Sequence, residues 1–94
     1  MVRSIDVEAV AIELAVFGGS EGERRAVARQ VGDLADSGQV RRDVGVDLTV
    51  DFVISELSDA PEDGPADRWN WWIGSMEYAY GGYLDFQVRR WESE

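Results

Sequence analysis

The sequence predicts an α+β domain: a small, mainly antiparallel sheet with one principal helix, at about 21–37, packed on one face. Three observations predict it. Residues 46–54 alternate apolar and polar side chains in strand fashion. The segment from Gly18 to Gly38 carries start and stop signals for a helix. Gly81-Gly82 lies between two aromatic-rich arms, as a two-residue hairpin turn would. With 94 residues the chain fits a single domain, 1–94, whose core is small enough that every large apolar side chain matters.

Residues 4–17 read as a strand with a bulge. Ile5 and Val7 alternate with Asp6 and Glu8; after Ala9 the phase slips by one, and Val10, Ile12, Leu14 and Val16 continue it. A helix is the alternative, with Ile5, Ala9, Ile12 and Val16 on one face, and the alanines and glutamates favour it. The strand is preferred because β-branched residues dominate the apolar set. Asp6, Glu8 and Glu13 interrupt the apolar rhythm, so the segment reads neither as a signal peptide nor as a membrane span.

In the next segment Ser20 and Glu23 have the spacing of a capping box, and Glu21 and Glu23 suit the positive end of a helix dipole. Val27, Val31, Leu34 and Ala35 share one face, Glu21 and Arg25 can pair, and Gly38 is a natural stop. Gly32, in the interior, suggests a close backbone approach. Between 46 and 54, Val46, Leu48, Val50, Phe52 and Ile54 form the buried face of a strand and Asp47 and Asp51 its outer face. Residues 58–67, with both prolines and four acids, read as an exposed acidic loop.

The last stretch supports two readings. Trp69, Trp72, Ile73, Met76 and Tyr80 keep helical spacing, and Gly81-Gly82 could end that helix. The hairpin is placed ahead of it, because Trp, Tyr and Ile favour strands and Gly74-Ser75 would weaken a helix in its middle. Tyr83–Trp91 is strand-like either way, with Leu84, Phe86 and Val88 on one face.

Composition bounds the chemistry. The chain holds nine arginines, nineteen acidic residues and no lysine, for a net charge of −10. Such a charge repels itself in dilute solution, whereas in roughly 1 M salt the Debye length is only about 3 Å. Carboxylates keep a hydrated surface there, and lysine's apolar stem does not, so the chain reads as a cytoplasmic protein of a salt-in halophile with hydrated cations at its acidic surface. The absence of cysteine and histidine excludes disulfides, thiolate or imidazole metal sites and histidine-activated nucleophiles. Any metal would be a hard cation held by oxygens, and no resident cofactor or metal is expected.

The individual motifs are weak as sites. Phe17–Glu23 stands where a phosphate loop would, yet it has neither the lysine nor the glycine spacing of one, and its glutamates would repel phosphate. An EF-hand register on Asp59 puts Pro61 at position three and Asn70 at position twelve, and both fail. Asp47 and Asp51 could face Asp6 or Glu8 as a carboxylate set, but nothing places them in a cleft. Arg24, Arg25 and Arg29, Arg41 and Arg42, and Arg89 and Arg90 are explained by pairs with carboxylates, so nucleic acid is not the expected partner.

What remains is aromatic. Eight of the ten aromatics lie between 69 and 91: Trp69, Trp71, Trp72, Tyr78, Tyr80, Tyr83, Phe86 and Trp91. Some must form the core. Trp71 and Trp72 are adjacent and point in different directions, so one of them should meet an edge, an interface or a pocket. Trp71-Trp72-Ile73-Gly74-Ser75 with Tyr80-Gly81-Gly82-Tyr83, in a lysine-free acidic chain, resembles the short hypothetical proteins of haloarchaea. That resemblance implies no activity and assigns no residue a role. The expected function is a small interaction module that homodimerises through Trp69, Trp71, Trp72, Tyr78, Tyr80, Tyr83 and Trp91. The alternative is a domain for a nucleotide-like or planar anion, using tryptophan stacking and an arginine. A carboxylate or hard-metal enzyme comes third.

Overall fold

Asp6 opens the fold by capping a helix. In the computed structural model, which describes residues 5–91, its Oδ1 accepts from the backbone N–H of Glu8 at 3.0 Å and of Ala9 at 3.3 Å. Helix α1 (Val7–Glu13) follows and tightens into a 3-10 turn (Leu14–Phe17). Then come α2 (Glu21–Ser37), α3 (Gln39–Val44), α4 (Val50–Ser58), α5 (Pro65–Tyr80) and a second 3-10 turn (Leu84–Phe86). Among the described residues there is no strand, and the expected α+β class with its antiparallel sheet is replaced by an all-helical one.

Helix α2 forms where the sequence places it. Ser20 Oγ accepts from Glu23 N at 3.1 Å, and Gly38 ends the helix at a positive φ of 72°, a left-handed conformation that glycine adopts without strain. Val27, Val31 and Leu34 are buried. At 1.5 Å per residue the helix runs roughly 25 Å, long enough to receive α1 and α5 along its length. Glu23 does not close the capping box on its own helix. Its Oε2 accepts instead from Ala66 N at 3.0 Å, in the first turn of α5, so one carboxylate serves the positive ends of two helices.

The strand expected over 4–17 is a helix from Val7, and Ser4 lies outside the described residues. The helical alternative also had the wrong face. Val10 and Leu14 are fully buried, while Ile12 is 67% and Val16 71% exposed. The strand expected over 46–54 is instead an irregular approach followed by α4. Thr49 Oγ1 caps it through Phe52 N at 3.1 Å. Its alternation is compatible with a helix because Val50, Val53, Ile54 and Leu57 also satisfy i, i+3, i+4, i+7. Val53 and Leu57 are buried, and Val50, Phe52 and Ile54 pack partly against the core. With apolar residues at both periods, the cap and the surrounding helices decide between them.

The hairpin arm over 69–80 is helix α5, and Gly81-Gly82, at φ of 80° and 83°, terminates it rather than turning a hairpin. Tyr83–Trp91 makes one 3-10 turn and then runs out extended against α5 instead of pairing as a strand. Between α4 and α5 Ala60 is buried, and so are Pro65 and Ala66 in the first turn of α5, into which the expected exposed loop over 58–67 runs. Arg68 fastens this connection: Nη1 donates to Leu57 O at 2.9 Å, Nε donates to Asp63 O at 3.0 Å, and the guanidinium lies 4.6 Å from the Phe17 ring centre. α5 thus packs against both α2 and α4, which makes it the central support of the aromatic segment.

Candidate functional site

Helix α5 distributes its aromatics by angle. Advancing about 100° per residue turns Trp69, Trp72, Ile73 and Met76 inward, where all are buried, and turns Asp67, Trp71, Gly74, Ser75 and Tyr78 outward. Trp69 and Trp72 lie with ring centroids 5.3 Å apart, and Phe52 of α4 meets Trp72 edge-on at 6.3 Å. Such contacts add about 0.5–1.5 kcal/mol beyond burial alone.

Each inward polar atom has a partner. Trp69 Nε1 donates to Phe86 O at 2.7 Å and Trp72 Nε1 to Glu56 Oε1 at 3.2 Å. Asn70 stands beside Trp69 and holds Val88 in both directions: its Nδ2 donates to Val88 O and its Oδ1 accepts from Val88 N, both at 2.8 Å. The side-chain amide does for Val88 what a neighbouring β-strand would.

Tyr83 is fully buried at the far end of α5. Its hydroxyl donates to Asp43 Oδ2 at 2.8 Å, and Glu77 Oε1 accepts from the N–H groups of Tyr83 at 2.8 Å and Leu84 at 3.2 Å. The hydrogen bond from Arg42, then that from Tyr83, holds the Asp43 carboxyl below its usual 3.8. Burial, then the Asp43 carboxylate, holds the Tyr83 hydroxyl well above its usual 10.0.

Of the seven aromatics expected at a site, Trp69, Trp72 and Tyr83 are therefore core and clasp residues, while Trp71, Tyr78, Tyr80 and Trp91 are exposed. Trp71 and Tyr80 meet in an open groove of about 370 Å³ between α4 and α5, with Val44, Phe52 and Met76 on its walls and Glu56 and Asp59 as its charged groups. Tyr78, 95% exposed, stands on the outward face with Trp71. Trp91 lies beyond the Asn70 clasp and is not part of the groove. Asp47 pairs with Arg41 at 2.7 Å rather than joining a carboxylate set. Among the described residues no group of three or more acids converges as metal ligands would. No helix among them is long and apolar enough to cross a membrane.

The sequence reading missed Asn70, Glu56, Glu77 and Asp43. One signal was available for Asn70: asparagine is a poor residue for a helix interior, so its place between tryptophans implies a side-chain task.

Fold and site define a small all-helical domain assembled around a tryptophan-rich fifth helix. The chain belongs to the WNWW domain family, whose pattern matches residues 1–77, and the four letters W-N-W-W stand at Trp69-Asn70-Trp71-Trp72. No curated protein and no solved structure matches the chain.

Proposed function

We propose that this chain is an interaction module that pairs with a second copy of itself through the outward face of α5, and that it works in the salt-rich cytoplasm of a halophile of the haloarchaeal kind. One observation carries the pairing: Trp71 and Tyr78 stand symmetrically about Gly74-Ser75 on the exposed face. Two such helices laid antiparallel about a twofold axis between 74 and 75 would set Trp71 against the partner's Tyr78 and Gly74 against the partner's Ser75. This is the self-complementarity a twofold interface requires, with small residues where the axes cross. Concentrated salt favours it twice, by screening the repulsion between two chains of charge −10 and by making exposed aromatic surface costlier.

The groove beside Trp71 supports the anion-binding reading less well. Its charged walls are Glu56 and Asp59, with no arginine among its lining residues.

Sedimentation equilibrium in multimolar KCl tests the proposal. The parent chain should be a dimer at micromolar concentration that weakens as salt is diluted. Trp71→Ala or Tyr78→Ala should each loosen it at least about tenfold, as truncating a central aromatic anchor by about 1.4 kcal/mol or more would. A parent chain that is monomeric at hundreds of micromolar in high salt would overturn it.

A further inference from the structure

We infer that Trp69 and Asn70 form a main-chain clamp, a binding site for an extended peptide carrying apolar residues two apart, which this chain's own residues 86–88 fill in cis. Each of the three bonds of the clamp joins a side chain to the backbone of the tail: Trp69 Nε1 donates to Phe86 O at 2.7 Å, Asn70 Nδ2 donates to Val88 O at 2.8 Å, and Val88 N donates to Asn70 Oδ1 at 2.8 Å. Bonds of that kind set direction and register without reading sequence, as when an extended peptide adds to a sheet edge. Selectivity rests with the side chains. Val88 is 5% exposed and Phe86 packs partly against the core; Gln87, the polar residue between them, is half-buried, and Arg89 beyond them is exposed. The slot accepts an apolar residue, skips one, and accepts a second.

Three features mark this as a site and not simply the end of the fold. Both gripping residues lie inside the 1–77 match to the family, and the gripped residues lie outside it. The Trp69 indole N–H can only donate, so once the tail leaves it needs another acceptor, which a peptide carbonyl supplies in competition with water. The tail can leave without unravelling α5, because Tyr83 is anchored separately by Asp43 and Glu77. Leu84 and Asp85, both exposed and lying between Tyr83 and the gripped residues, then serve as the pivot. A tethered tail competes at an effective concentration on the order of millimolar, so a free peptide gains the slot only when the tail is displaced.

The test uses a fluorescein-labelled peptide with the sequence of residues 84–91 and the full chain carrying V88D. Burying a carboxylate in the slot is prohibitive, so V88D ejects the tail and leaves the clamp intact. Anisotropy should show V88D binding the peptide at least about tenfold more tightly than the parent does. Adding N70A to V88D should remove that gain. Equal binding by V88D and parent, no binding by a folded V88D, or indifference to N70A would each overturn the inference. If V88D does not fold, amide exchange on the parent decides. The Val88 N–H should exchange well before that of Ile73 in α5, and exchange of both only in step would show that the tail never opens alone.

Discussion

Asn70 occupies a helix interior, where asparagine is less favourable than alanine by about half a kcal/mol. It offsets that local disadvantage through two bonds to Val88. Asn70→Ala should therefore destabilise the fold despite improving helix propensity, by about 1–3 kcal/mol, since each lost bond is worth about 1 kcal/mol and strands a backbone group. Urea titration followed by tryptophan fluorescence checks it, and an unchanged midpoint would deny the clasp any structural weight. The Asp43–Tyr83 bond makes a prediction about pH. Asp43 is held below 3.8, so its contribution is whole above that value and is lost as pH falls through the folded pKa. Tyr83 is held above 10.0, so its contribution is whole below pH 10 and is lost as pH rises past it. Tyr83→Phe should flatten the alkaline fall in stability, measured by denaturation at about pH 9 and above.

At the scale of elements, α2 was legible because its signals are local. Ser20, the apolar face Val27, Val31 and Leu34, and Gly38 specify its start, its buried side and its stop within one stretch. Helices α1 and α4 were not legible, because short runs rich in β-branched residues satisfy both the strand and the helix period. In α5 the local evidence was divided: the spacing of Trp69, Trp72, Ile73 and Met76 fits the helix that forms, whereas residue propensities placed the hairpin ahead of it. Gly74-Ser75 and the aromatics argue for strands, but burial of Trp69, Trp72, Ile73 and Met76 on one helical face outweighs propensity. Each such side chain gains roughly 2–3 kcal/mol on burial, against about 1 kcal/mol for an interior glycine. That glycine is exposed, and a methyl group in its place would meet nothing within 4 Å. Gly74→Ala should thus raise the stability of the monomer by about 0.5–1 kcal/mol. The same change should weaken the proposed dimer, whose helices approach there, and denaturation and sedimentation together separate the two effects.

For the whole molecule, the candidate site was legible as a region but not as a division of labour. The concentration of aromatics between 69 and 91, and the need for Trp71 and Trp72 to part company, are properties of the chain read in order. That Trp72 turns inward to Glu56 while Trp71 turns outward depends on where α4 packs. Glu23 shows the same limit, because its partner Ala66 is 43 residues away and no local pattern announces it. Salt acts at this scale too: the charge of −10 is a property of the sum, and its screening governs the proposed pairing more than any single ion pair does. The sequence by itself determined the excluded chemistries, the acidic surface, the second helix and the aromatic segment, because composition and short-range periodicity depend only on neighbours along the chain. Tertiary structure alone decided that the ambiguous segments are helices, that three of the seven aromatics are core, and that Asn70 grips the tail, because each follows from burial against residues distant in sequence.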